Sequence, residues 1–388
     1  MTEVLPAAEA ANGAWPSVSE LAAGADAFAV SMQPVVAAEP QLRHQGMPSD
    51  GDSPAVHRAM GEGGWIGIHW PCELGGRGLS YAHTLACEER FGYRWLPLSG
   101  YLLSVKTIGN ALRRFASAEL QERLLPEIAA GRILFCQGFS EPEAGSDLAG
   151  LRTRARLVGD RFVVDGRKLW TSSAEYADWV YLAVRTDPQR PRHRGISVLV
   201  ADIRTPGITV SSHATLGGGT LGELALEEVE IPAGQLVGEL HGGWRVLMGT
   251  LDHERVTSEK VGTVLWLLDA LEPHATGSEH RRVLRRLRGA ALAARLHGRR
   301  AAALLDAGRP ASAQSSMAKL AVAELMQRVA AFAGAVLGPE SLLEEGIGTL
   351  RGRLAAFQRA AAAATISGGA AEIQRAVIAR RELGMGRA

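Results

Sequence analysis

A chain of 388 residues is long enough for two or three packed units at about 150 residues each, and its 46% hydrophobic and 21% charged side chains are those of an ordinary globular protein. Disorder, collagen and low complexity are excluded as whole-chain descriptions. Forty-two basic residues against 41 acidic ones leave a formal charge of +1, so no net field draws the chain to nucleic acid or to an anionic membrane.

Three widely spaced cysteines, Cys72, Cys87 and Cys136, argue against a disulfide framework or a CxxC metal clip and for a reducing cytoplasm. Only Lys106, Lys168, Lys260 and Lys319 are lysines, so the remaining cationic side chains are arginine. Met1 to Trp15 lacks a basic segment followed by an apolar one and reads as a flexible tail, not a secretory signal.

Residues 16–132 carry apolar side chains at helical spacing, as in Leu102, Val105, Ile108, Leu112 and Phe115, and are expected to form a helical domain. A turn rich in glycine with one proline, Trp70 to Leu79, interrupts it. Over residues 133–239 the pattern changes to short alternating runs such as Arg161–Asp165, Trp179–Val184 and Ile196–Val200, which predict a β domain. From 240 to 388 the helical period returns, broken near Pro273, Pro310, Pro339 and Gly368. Helices, then strands, then helices without βαβ alternation predict an α+β chain: an N-terminal helical domain, a central antiparallel β domain and a C-terminal four-helix-type bundle. No run of 18 uninterrupted apolar residues occurs, so a membrane span is not expected.

Gly217 to Gly222 matches GxGxxG but leads into a strand-like segment where a dinucleotide fingerprint must open a helix, so it reads as a turn. HExxH, GxSxG, Walker A and paired CxxC motifs are absent, and the eleven histidines lack ligand spacing; no metal is expected. Basic residues crowd one helix between Arg281 and Arg300, opposite an apolar stripe read as Leu284, Leu287, Leu292 and Leu296, and are taken as a solvated face.

Two stretches carry chemistry. FSEPEAGSD over Phe139–Asp147 is a loop whose glycine lets backbone N–H groups approach a ligand, with hydroxyls for an anion. DGRKLWTSS over Asp165–Ser173 sets a tryptophan face beside small hydroxyls, which suits a planar ring with a polar edge. In this order, inside the β segment, they closely resemble the acyl-CoA dehydrogenase family. The turn before Leu79, the passage Leu236–Trp244 and the segment Ile373–Ile378 are similar to further family elements, so the resemblance covers nearly the whole chain.

The resemblance implies FAD as cofactor, with Phe139 and Ser140 lining the flavin ring and Ser146 at the pyrophosphate. Trp170 and Ser172 would cover the ring and its N5 region, and Gln137 would lie in the same flavin-facing strand in place of a more usual apolar residue. It implies α,β-dehydrogenation of an acyl thioester, from acyl-CoA or an acyl-carrier protein: a carboxylate removes the α proton while the β hydrogen leaves as hydride to flavin N5. Much of the family places that base in the C-terminal loop, TISGGAAEIQR over Thr365–Arg375, where this chain has Gly368. Another branch supplies it from the first helix of the bundle, at the glutamate of LDHER over Leu251–Arg255. Glu254 is therefore the expected base, with the Gly368 N–H polarising the thioester carbonyl and Asp252 and Arg255 on the substrate.

Ala370 stands where a flavin-contacting threonine is usual, and an Arg-x-x-Phe-Gly element has no counterpart between Glu272 and Arg288. These departures leave open a companion-subunit role in a heteromeric dehydrogenase and, third, a flavin monooxygenase or oxidase on the same fold. An electron-transfer flavoprotein-type acceptor and a homodimer or homotetramer, or a heteromer, are the partners implied.

Overall fold

The computed structural model describes residues 16–42, 45–344 and 350–386; the tail expected over 1–15 lies outside them. Helix α1 (Val18–Ser31) opens with a capping box in which the Ser17 hydroxyl accepts from the Glu20 N–H and the Glu20 carboxylate accepts from the Ser17 N–H. Helices α2 (Gln33–Ala38), α3 (Pro54–Glu62) and α4 (Tyr81–Tyr93) follow. The Trp70 to Leu79 turn separates α3 from α4 and buries Trp70 completely.

Next come α5 (Ser99–Tyr101), a π-helical stretch over Leu102–Gly109, α6 (Asn110–Phe115) and α7 (Ala118–Ala129). Such widened turns are rare and concentrate at functional sites. Here the π stretch turns Ser104 toward the β domain, where its hydroxyl accepts from the Phe135 N–H at 2.7 Å. It also turns Lys106 inward, 2.7 Å from Glu88 and 3.3 Å from Glu259, with all three side chains almost wholly buried.

The β domain comprises β1 (Phe135–Gly138), β2 (Arg154–Val158), β3 (Arg161–Thr171), β4 (Trp179–Arg185), β5 (Ile196–Asp202), β6 (Ile208–Ala214), β7 (Thr220–Pro232) and β8 (Leu236–Val237). They form one sheet in the order β6-β7-β3-β2-β4-β5-β8, with β1 beside β4. Pairing is antiparallel except that β1 runs parallel to β4, and β2 meets β4 in parallel at Arg154 and Arg185. Alternation buries Phe162 and Val164 from β3 against Val180, Leu182 and Val184 from β4. The β3–β7 register slips between Lys168 and Thr171, and this irregularity turns Trp170 out of the sheet.

The bundle contains α8 (Gly243–Glu254), α9 (Ser258–Leu271), α10 (Ser278–Asp306), α11 (Ser312–Leu337), α12 (Arg353–Ala363) and α13 (Ala371–Arg381). The inner stripe of α10 differs from the expected leucine row. It runs through Leu284, Leu287, Ala291, Ala294, Gly298 and Ala301, whereas Leu292 and Leu296 are more than half exposed. Steps of three and four keep the small residues on one face; the step of five from Leu287 to Leu292 carries the latter leucines outward. Val18–Ala38 and Ser312–Leu342 reach the length and mean hydropathy of a spanning helix, but α11 uses its apolar side chains to bury Val322, Leu325, Met326, Val329 and Phe332 inside the protein.

Candidate active site

Glu254 is the last residue of α8; Arg255 caps the helix and Thr257 opens α9. This break lets the side chain leave the helix surface. The residue keeps some exposure, yet its Oε2 is shielded from solvent and has no hydrogen-bond partner. Burial pushes the carboxyl above its ordinary value, opposed by Arg255, Lys260, a hydrogen bond from Gln137, and Lys319. The position at a helix C-terminus adds to the penalty on the anion. A shielded carboxylate with a raised pKa and a free oxygen is equipped to accept a proton from carbon.

Around it, Arg255 is buried, with its Nε lacking an acceptor, and its Nη1 lies 3.9 Å from Asp252. Asp252 accepts from the Ser312 hydroxyl at 2.8 Å, while its other oxygen is shielded without a hydrogen-bond partner.

The C-terminal loop comes to the same place. A Cβ added at Gly368 would stand 3.3 Å from Glu254 Oε1, so a side chain at 368 and the carboxylate at 254 compete for one space. Gly368 and Gly369 take φ values of +63° and +90°, the region that glycine enters without strain. Their carbonyls are held from behind: Gln374 Nε2 donates to Gly368 O at 3.1 Å and Gly369 O at 3.0 Å, and Lys319 Nζ donates to Gly369 O at 2.7 Å. Among the described residues the Gly368 N–H finds no acceptor, and a free N–H beside a proton acceptor is the geometry that stabilises enolate charge.

The two stretches singled out in the β domain are stitched together. Leu169 N–H donates to Ser140 O at 2.9 Å. Lys168, fully buried, donates to Glu141 at 2.8 Å and to Phe139 O at 3.2 Å. Glu141 in turn accepts from the Arg152 and Thr153 N–H groups at 2.6 and 2.9 Å. Phe139 is buried against Tyr181, at 5.8 Å between ring centroids. Trp170 has φ +59° and is 64% exposed, offering its ring to whatever lies over the bulge. After it, Ser173 donates to Asp52 at 2.9 Å, which anchors the turn to the N-terminal domain.

The acyl-CoA dehydrogenase N-terminal, middle and C-terminal domain models match residues 19–132, 136–229 and 241–383. The chain belongs to the acyl-CoA dehydrogenase family. It is 33% identical over 350 residues to acyl-CoA dehydrogenase FadE26 of Mycobacterium tuberculosis, covering 85% of this chain and 87% of the relative. A similar match, 33% over 350 residues, joins it to acyl-CoA dehydrogenase IpdE1 of Mycolicibacterium smegmatis, covering 86% of this chain and 88% of the relative. Among solved structures it superposes on the Tcur3481-Tcur3483 steroid ACAD with a TM-score of 0.86 and 30% identity, over 99% of this chain and 100% of that one. The ChsE4-ChsE5 complex from Mycobacterium tuberculosis gives a TM-score of 0.83 and 29% identity, over 97% of this chain and 99% of that one.

As a member of this acyl-CoA dehydrogenase family the protein is an oxidoreductase, and its cofactor is FAD. The residues present fit a flavin ring. Trp170 supplies an exposed aromatic face, and Thr171 Oγ1 and Gln137 Oε1 are shielded polar atoms without partners. Ser140 and Ser172 are half-buried beside them in sequence, whereas Ser146 is exposed at the loop tip.

Of the residues singled out from sequence, the structure brings Glu254, Gly368, Gln137 and Arg255 together, with Asp252 behind them. It joins Phe139 and Ser140 to the strand carrying Trp170. Sequence reasoning missed Lys168, Lys319, Glu141, Gln374 and Asp52, which hold the loops. A signal existed: three of the four lysines, Lys106, Lys168 and Lys319, are at most 3% exposed and each donates to a carboxylate or a loop carbonyl. In a chain that otherwise uses arginine, a retained lysine marks a place where a compact ammonium is needed.

Proposed function

We propose that the protein catalyses FAD-dependent α,β-dehydrogenation of an acyl thioester with Glu254 as the base. The observation that carries this reading is the pairing of the shielded, unpartnered Glu254 Oε2 with the open Gly368 N–H. The α proton of a thioester is weakly acidic. Glu254 takes it, and the Gly368 N–H donates to the carbonyl oxygen where enolate charge grows. Gln137 and Arg255 keep enough ionised Glu254 available despite burial, and Asp252 with Arg255 offers a hydrogen-bonding edge to the thioester. Bound FAD supplies the two-electron acceptor that takes the β hydrogen as hydride, so that a C=C bond replaces two C–H bonds. Trp170 and Phe139 orient the ring plane and exclude water. An electron-transfer flavoprotein-type partner is the acceptor beyond it. Anaerobic mixing with acyl-CoA thioesters should bleach the flavin absorbance, and Glu254→Gln should slow bleaching by about 10²-fold or more with FAD retained.

A second reading makes the chain one subunit of a heteromeric dehydrogenase. It is supported by two structural neighbours whose names each join two different chains, and by Ala370 in place of the usual threonine. Activity that appears only on co-expression with a second subunit would select it; turnover by the isolated protein would remove it.

A further inference from the structure

Between the N-terminal helices and the bundle, a cavity of about 530 Å³ opens where α1, α4, α9 and α10 face one another. None of Gln137, Trp170, Glu254 or Gly368 lines it, so it is separate from the candidate active site. Its volume follows from small side chains: Ala22, Ala82, Ala86, Ala294, Gly298 and Ala318 stand where larger ones would close the contact. A Cβ added at Gly298 would meet nothing nearer than 3.9 Å. Val18, Leu85 and Val261 complete an apolar wall. An unfilled gap forfeits the contacts that hold packed helices together, and this one has the size of a pocket for a small organic molecule.

The polar groups at the cavity are unevenly matched. Thr257, the N-cap of α9, makes no side-chain cap, and its hydroxyl, on a residue only 7% exposed, has no hydrogen-bond partner. An N-cap threonine ordinarily spends that oxygen on the first-turn N–H groups. The adjacent Ser258 hydroxyl is already committed to Glu88 at 2.6 Å. Glu89 accepts from Arg295 twice, at 2.6 and 2.8 Å, and Asp26 alone serves both Arg90 and Arg94, at 2.7 Å each. Arg299 has no acidic partner among the described residues. The lining is therefore short of negative charge, beside the positive end of a 14-residue helix.

We propose that this cavity binds a monocarboxylate with an apolar body, with Arg299 and Thr257 as its polar contacts and the small-residue wall against its chain. A guanidinium donates two parallel N–H bonds to a carboxylate, and the apolar body replaces the contacts that the missing side chains leave unmade. Because α1 and α4 lie on one side of the ligand and α9 and α10 on the other, its binding favours the folded assembly of both domains. The inference does not rest on the dehydrogenase reading: it is decided by binding, whether or not a thioester bleaches the flavin.

Decanoate is the probe, and decanol its uncharged control. Binding to the purified holoenzyme is measured by calorimetry for the parent, R299E, R299K and G298L, and the melting of each protein is followed with and without decanoate. Loss of a charge-assisted pair should weaken decanoate binding about tenfold or more in R299E, whereas R299K should largely keep it. Decanol should bind the parent less tightly than decanoate. G298L, whose side chain fills the cavity, should lose binding while melting at or above the parent. Decanoate should raise the melting temperature of the parent and of R299K and leave that of G298L unchanged. If G298L melts below the parent, R299E and R299K decide between them. Decanoate affinity unchanged in R299E and G298L overturns the proposal, since the acid then sits elsewhere, the flavin site included. No binding to the parent, or equal affinity for decanol and decanoate, overturns it as well.

Discussion

Replacing Glu254 by Gln tests the base with little change of shape. The amide keeps the volume of the carboxyl and its neighbours Gln137 and Gly368, and removes only the ability of the shielded Oε2 to take a proton. General-base catalysis contributes about 10²- to 10⁴-fold, or roughly 3 to 5.5 kcal/mol of barrier, so stopped-flow bleaching by an acyl-CoA should slow by that factor at constant FAD content. The pH dependence follows from the raised carboxyl pKa. The parental rate should climb with pH along a limb displaced above the ordinary value of 4.5, because the base must be ionised. For stability the sign is opposite: between 4.5 and the raised value the folded state binds more protons than the unfolded one, so stability falls as pH rises through that window. Glu254→Gln lacks this loss and should melt higher than the parent at neutral pH, with the difference closing in acid. Bleaching at the parental rate, or a variant less stable than the parent at neutral pH, would refute the reasoning.

Lys319→Met should slow bleaching by about tenfold or more without loss of FAD, since a hydrogen bond from a charged group is worth about 1.5–3 kcal/mol and this one holds Gly369 O. Burial, with Lys260 and Arg255 nearby and Glu254 and Glu372 opposing, lowers the Lys319 pKa to about 8. A fall in parental rate above about pH 8 that disappears in the variant is therefore expected. Lys106→Met leaves the buried Glu88 and Glu259 without their cation and should cost about 3–5 kcal/mol in denaturant titrations. Burial already raises the Glu88 carboxyl and Lys106 opposes that rise, so without the lysine the loss should grow as pH rises above the carboxylate range and shrink in acid. Trp170→Ala should leave the melting of the flavin-free protein within about 0.5 kcal/mol, as for surface substitutions, while FAD content falls; a large loss of apoprotein stability would assign the ring to the core instead.

The order of helical, β and helical segments is legible because it rests on local periods: 3.6 residues along α4, α7 and α10, and two along β3 and β4. The chemical stretches are legible for a similar reason. FSEPEAGSD, DGRKLWTSS and LDHER are each contiguous, so the identities of Phe139, Trp170 and Glu254 carry their own context. Even the base proposed is read from local residues, because glycine at 368 cannot accept a proton and a glutamate stands at 254.

Tertiary structure alone decides what meets what. Residues 137, 254 and 368 lie on a strand, a helix end and a loop, and no periodicity brings Gln137 to Glu254 or sets Gly368 3.3 Å from its carboxyl. Lys168 and Lys319 look like solvated cations until the fold buries them on the Phe139 and Gly369 carbonyls. Leu292 and Leu296 look like core until the small residues of α10 claim the inner face. Local pattern specifies which face of an element is apolar; only packing between distant segments determines which polar groups are desolvated together, and desolvation is what turns a carboxylate into a base.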